Sequence, residues 1–122
     1  MAKDIPSGQA KSFRKGVSDS LLQDKKDYDG IFLPFDLPHK DEAVEAYKKG
    51  RLEGDQLKKQ SEEGEQGVAY RRGISDSLLD EKKDYDGKYK PFDLPKSQLA
   101  SYKKGRVEGD KLKKEIEARV QD

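Results

Sequence analysis

The side chains best placed to do chemistry in this chain are carboxylates gathered around a glycine. Asp27 and Asp29 precede Gly30 and Asp36 follows it, and Asp84, Asp86, Gly87 and Asp93 repeat the same spacing. Alternating carboxylates before a glycine, with an acid at the twelfth place, form the donor pattern of a helix-flanked calcium loop. Here the first ligand place is Lys25 in one stretch and Lys82 in the other, a cation where a carboxylate is required. Pro34 and Pro91 also fall where the exiting helix should begin. The pattern therefore predicts no metal site, and the aspartates are expected to cap turns and keep the loops soluble.

His39 is the only histidine, and its aligned position in the second half of the chain is Lys96. Proton transfer needs an oriented partner, and the sequence shows none, so His39 is expected at the surface. Cysteine is absent, which removes disulfides and thiolate metal sites. No nucleophile with its base, phosphate-cradling loop or dinucleotide fingerprint is visible. The expectation is a protein that is not an enzyme, with no cofactor and no small-molecule substrate.

Two further groups suit binding. Lys48, Lys49 and Arg51, with Lys103, Lys104 and Arg106, are basic clusters of the kind that contact phosphate. Asp55 precedes Lys59 by four and Asp110 precedes Lys114 by four, which favours a salt-bridged, solvated helix face instead. Tyr28, Phe32 and Phe35 crowd one loop beside Asp36, and Tyr85, Tyr89 and Phe92 crowd another beside Asp93. Some of these rings must fill the core. Surplus aromatics on a proline-stiffened loop also make a low-entropy protein-binding edge, so these eight residues are the expected protein contacts.

The doubling of every group has one source. FRKGVSDSLL at Phe13 aligns with YRRGISDSLL at Tyr70, an offset of 57 residues that also superimposes KKDYDG and PFDLP on their second occurrences. AYKKGRLEGDQLKK and SYKKGRVEGDKLKK then align Tyr47 with Tyr102, two residues closer. This is a tandem duplication: a tail at 1–10, a repeat at 11–60, a polar linker at 61–67 and a second repeat at 68–122. Phe13, Val17 and Leu21 recur at helical spacing, as do Tyr70, Ile74 and Leu78. Gly30, Pro34 and Pro38 make the next segment extended. A second helix starts near Pro38 or Asp41, and near Pro95 or Ser97, with Leu99, Tyr102, Leu112, Ile116 and Val120 on its apolar face in the second repeat. Gly50, Gly54, Gly105 and Gly109 interrupt these helices at a cost of ~1 kcal/mol each. That cost points to close packing of a backbone or ring at the glycines, with helix breaks as the alternative.

Hydrophobic residues make up 31% of the chain and charged residues 42%, with a formal net charge of +1. A near-neutral balance argues against a general nucleic-acid binder. No apolar run approaches the ~18 residues of a membrane helix, so no membrane partner is expected and the protein is expected in the cytoplasm. A repeat of this size with so few apolar groups buries little surface alone. The expected fold is all-α: two helix–extended loop–helix units packed as a pseudo-twofold pair.

Gly16, Pro34-Phe35 and the run Tyr47-Lys-Lys-Gly50-Arg-Leu-Glu-Gly54, repeated at Gly73, Pro91-Phe92 and Tyr102 to Gly109, resemble the ribosome modulation factor family. That resemblance implies a two-helix unit that binds the ribosome and promotes its inactive dimers. The residues themselves favour a non-catalytic interaction protein, an inhibitor or adaptor of phage-like style, holding a protein partner through loops 27–38 and 84–95. A ribosome-associated RNA-binding factor using the basic clusters is the alternative. Ile31 and Leu33 stand where the second repeat has Lys88 and Lys90, so the first loop is expected to be the stickier.

Overall fold

The computed structural model describes residues 3–22, 41–79 and 94–121. Within them the chain forms four α-helices: α1 (Ala10–Leu22), α2 (Asp41–Gln60), α3 (Gly64–Leu79) and α4 (Leu99–Ala118). A short 3-10 turn, Lys96–Gln98, follows Pro95 and leads into α4. Asp41 and Glu42 open α2, and Lys58 and Lys59 lie in its last turn, so both ends complement the helix dipole.

α1 packs on α2 and α3 on α4, and the two hairpins meet chiefly through α1 against α3. Phe13, Val17 and Leu21 of α1 are buried with Ile74 and Leu78 of α3 and Ile116 of α4 in one core. A smaller cluster of Ala69, Leu94 and Tyr102 lies within the second hairpin.

Glycine sets the distance between the helices of each hairpin. A Cβ on Gly16 would strike the backbone carbonyl of Tyr47, and one on Gly50 would strike that of Phe13. At Gly54 a Cβ would stand 2.6 Å from the Val17 carbonyl oxygen. In the second hairpin Gly73 meets the Tyr102 carbonyl, Gly105 that of Tyr70 and Gly109 that of Ile74. α2 and α4 run unbroken through their glycines, so the glycines mark backbone contact and not helix breaks. A side chain at any of them has no flexible neighbour to displace, because the opposing atoms are main chain, joined at Gly54 and Gly109 by the Cβ atoms of Ser20 and Ser77.

Two expectations change. The residues before α1 are not a loose tail: Ile5 is fully buried in the main core. Its amide donates to the Arg119 carbonyl at 3.2 Å, and the Gln121 amide donates to the Ile5 carbonyl at 2.9 Å. A single isoleucine among polar residues has no periodicity to reveal that burial. The polar joint at 61–67 is shorter than its composition implies, because α3 already begins at Gly64, which takes a positive φ of 84°. Arg71 holds the remaining turn by donating from Nη1 to Ser61 Oγ at 2.9 Å and to the Glu62 carbonyl at 3.2 Å.

Gly50→Ala and Gly105→Ala should each lower unfolding free energy by about 1–3 kcal/mol, since overpacking outweighs the gain of ~1 kcal/mol in helix propensity. Leu52→Ala, at a side chain 65% exposed on the same helix as Gly50, should stay within about 0.5 kcal/mol. Urea unfolding of the three variants measures the contrast.

Candidate functional site

The close helix approach brings a repeated set of polar side chains together. Tyr47, fully buried on α2, donates its hydroxyl to Asp19 Oδ2 on α1 at 2.7 Å. Tyr102 on α4 does the same to Asp76 Oδ2 on α3 at 2.6 Å. Ser20 Oγ donates to the Arg51 carbonyl at 2.8 Å, and Ser77 Oγ to the Arg106 carbonyl at 2.9 Å. Between the hairpins the hydroxyls of Ser18 and Ser75 hydrogen-bond to each other. Each residue of the two Ser-Asp-Ser triplets thus has a defined partner across a helix interface. The identity of the triplet in both halves of the sequence was the available signal for it, and periodicity alone passes over it.

The six basic residues divide. Arg51 and Arg106 are each only 4% exposed, so neither offers its guanidinium to a phosphate backbone. Arg51 lies close enough to the Tyr47 hydroxyl to oppose the effect of Asp19 on it. Lys48, Lys103 and Lys104 are exposed. Lys49 is half-buried: its Nζ donates to the Asp4 carbonyl at 2.7 Å and pairs with Glu45 at 3.3 Å. The surface ion pairs of these helices include Lys49–Glu45 and Lys111–Glu108. The expected loop contacts Tyr28, Phe32, Phe35, Asp36, Tyr85, Tyr89, Phe92 and Asp93 lie outside the described residues, as do His39 and the loop aspartates.

Exposed apolar side chains fall at aligned positions. Leu52 and Val107 are 65% and 54% exposed on the outer faces of α2 and α4. Each lines a shallow groove with lysines, Lys48 and Lys49 beside Leu52, and Lys103 and Lys104 beside Val107. Leu22 and Leu79, the last residues of α1 and α3, are also exposed. Among the described residues no group of three or more His, Cys, Asp or Glu side chains comes together as a metal site. No described helix is long and apolar enough to cross a membrane.

One cluster joins the first hairpin to the end of α4 and has no counterpart among the described residues of the second hairpin. Arg119, just after α4, makes paired hydrogen bonds to Asp4 (2.9 and 2.7 Å) and to Glu53 (3.1 and 2.7 Å). Its guanidinium lies 5.0 Å from the centroid of the Phe13 ring, within cation–π range. The guanidinium holds the Asp4 carboxyl below its ordinary range. This clamp fastens residues before α1 to the far end of α4.

Comparison with protein-family models, curated proteins and solved structures returns no match.

Burial first, and then the hydrogen bond to Asp19, push the Tyr47 phenol above its ordinary value. The folded state therefore holds this proton more tightly than the unfolded chain does. The resulting stability is complete below the unfolded pKa of ~10 and declines as the pH rises beyond it. Tyr47→Phe should cost about 1–2 kcal/mol at neutral pH, because Asp19 loses its donor. The variant should also lose less stability than the parent between neutral pH and pH ~11; urea titrations at both ends of that interval give the comparison.

Proposed function

We propose that this chain is a non-catalytic interaction protein, an inhibitor or adaptor that acts by occupying the surface of a protein partner. The observation carrying this reading is the division of labour among its side chains. Buried hydroxyls such as those of Tyr47, Tyr102, Ser20 and Ser77 are engaged in joining helices. Large apolar side chains, meanwhile, are left in solvent at aligned positions, Leu52 with Val107 and Leu22 with Leu79. In the sequence Leu22 and Leu79 come directly before the segments bearing Tyr28, Phe32, Phe35 and Asp36, and Tyr85, Tyr89, Phe92 and Asp93. Those segments are the proposed contacts.

The two halves are read as a tandem duplication packed as a pseudo-twofold pair. The meeting of Ser18 with Ser75, aligned residues on neighbouring helices, supports that arrangement. Two linked contact surfaces would raise avidity without any new contact.

A second reading is a ribosome-associated, RNA-binding factor resembling ribosome modulation factor. The exposure of Lys48, Lys103 and Lys104 favours it, although with Arg51 and Arg106 buried it retains a smaller cationic face.

Tagged protein used to capture material from nuclease-treated bacterial lysate separates the two. A protein partner held through apolar anchors should survive high-salt washing, and recovery should fall at least ~10-fold when Tyr28, Phe35, Tyr85 and Phe92 are replaced by alanine, as expected of anchor residues. Recovery of ribosomal proteins that disappear with salt, as phosphate contacts do, would sink the first reading and support the second.

A further inference from the structure

The same helix face is covered in the first hairpin and open in the second. In the first, residues 3–5 lie across it: Ile5, Phe13 and Ala46 are all fully buried, and Lys49 Nζ donates to the Asp4 carbonyl at 2.7 Å. Arg119 then closes over Asp4, Glu53 and the Phe13 ring. The aligned residues of the second hairpin are Tyr70, Ser101, Lys104 and Glu108. Tyr70 and Ser101 are half-buried, and Lys104 and Glu108 are exposed. Each is less covered than its counterpart. Ala100 stands where the first hairpin has Glu45, so the side chain that neutralises Lys49 has no equivalent beside Lys104. Among the described residues Lys104 makes no ion pair.

The uncovered face carries a cleft of about 300 Å³ whose lining includes Gln66, Gly67, Tyr70, Ser101 and Lys104. Gln60, Ser61 and Glu62, which precede α3, form one wall of this cleft and leave it open, whereas residues 3–5 fill the corresponding space in the first hairpin. Ser61 is still bonded to the end of α2 through the Leu57 and Lys58 carbonyls, and Arg71 captures Ser61 and Glu62 from the α3 side. The chain's own segment of the right chemistry is already seated in the first hairpin.

We propose that the Tyr70–Ser101–Lys104 cleft docks a short extended segment of a partner protein, an acidic residue followed by an aliphatic one. The protein's own Asp4–Ile5 pair, on the aligned face, is the template. The aliphatic side chain enters the cleft beside Tyr70, Lys104 donates to the main-chain carbonyl before it, and the carboxylate faces the Lys103–Lys104 pair. The proposal rests on the reading of the chain as a partner-binding protein, for which it supplies a second set of contact residues.

The probe is a capped peptide of sequence AKDIPSG, copying residues 2–8, titrated into the isotope-labelled full chain and followed by NMR. Saturable shifts of the Tyr70, Ser101 and Lys104 amides are expected. Lys104→Glu, at a solvent-exposed position, should weaken binding about 10-fold or more through like-charge repulsion, and exchanging the peptide's Asp-Ile for Lys-Ala should abolish it. The absence of shifts at millimolar peptide would overturn the proposal. So would shifts confined to Phe13 and Lys49, which would mean exchange with the native segment, or binding indifferent to Lys104→Glu. A concentration-dependent dimer that buries Tyr70 and excludes the peptide would assign the face to a second copy of the chain and overturn it equally. Lysate capture keeps the two proposals apart. A partner retained undiminished by Lys104→Glu leaves the interaction reading standing and removes this contact, whereas peptide binding without any captured partner does the reverse.

Discussion

Everything else in the architecture depends on the contact of bare backbone at the glycines. Gly16 and Gly50 face each other closely enough that a Cβ on Gly16 would lie 3.1 Å from the Gly50 carbonyl carbon. Gly73 and Gly105 form the equivalent contact in the second hairpin. Helices separated by ordinary side chains run 8–10 Å apart, and the space between them must be filled with apolar volume. Helices that touch leave little to fill. That is how a chain with 31% hydrophobic residues assembles a close-packed interior: it removes the volume that larger residues would otherwise occupy. The helix propensity lost at each glycine is the cost of that economy.

Close approach also decides which polar groups meet. Ser20 has a short side chain, and it reaches the Arg51 carbonyl only because Gly54 lets α2 settle onto α1 beside it. The Tyr47 hydroxyl reaches Asp19 across the same interface. Neutral and charge-assisted hydrogen bonds of this kind contribute modestly when made and cost more when a buried partner is left alone. They therefore fix register more than they add stability. The hairpins agree at these inner contacts and diverge outside them. Arg14 crosses between hairpins, its Nε donating to the Leu78 carbonyl at the end of α3, where helix carbonyls lack intrahelical partners. Its aligned residue Arg71 stays within its own half and holds the turn at Ser61 and Glu62. Residues before α1 and after α4 cover one outer face and leave the other bare.

How much of this was legible depended on whether a residue's fate is set by its own helix or by a neighbouring one. The faces built on Phe13, Val17 and Leu21, and on Ile74 and Leu78, were readable because period alone places them. A start of α2 near Pro38 or Asp41 was readable from the prolines, and the described helix runs from Asp41. The glycines were readable as close contacts because a helix does not keep such residues without a packing reason. The burial of Arg51 and Arg106 was not, because a Lys-Lys-Gly-Arg run looks like a solvated basic face in one dimension. In the fold Arg51 is buried beside the hydroxyl of Tyr47, four residues earlier. Ile5 was hidden for a related reason, since its partners Arg119 and Gln121 come from the opposite end of the chain.

The two Tyr-x-x-Gly-x-x-x-Gly runs acquire a specific meaning in this setting. Tyr47, Gly50 and Gly54 all face α1, and Tyr102, Gly105 and Gly109 all face α3. A Tyr-x-x-Gly-x-x-x-Gly run is thus a device for seating one helix on another, with the ring hydrogen-bonded at one end and main chain touching main chain at the other. Any two chains that need a compact helical hairpin from few apolar residues meet the same constraint and can arrive at the same letters. What distinguishes them must lie at the exposed positions between: Lys48 and Leu52 on one helix, Lys103, Lys104 and Val107 on the other. The tyrosine and glycines account for the pairing of the helices, and the exposed residues between them form the surface that a partner would meet.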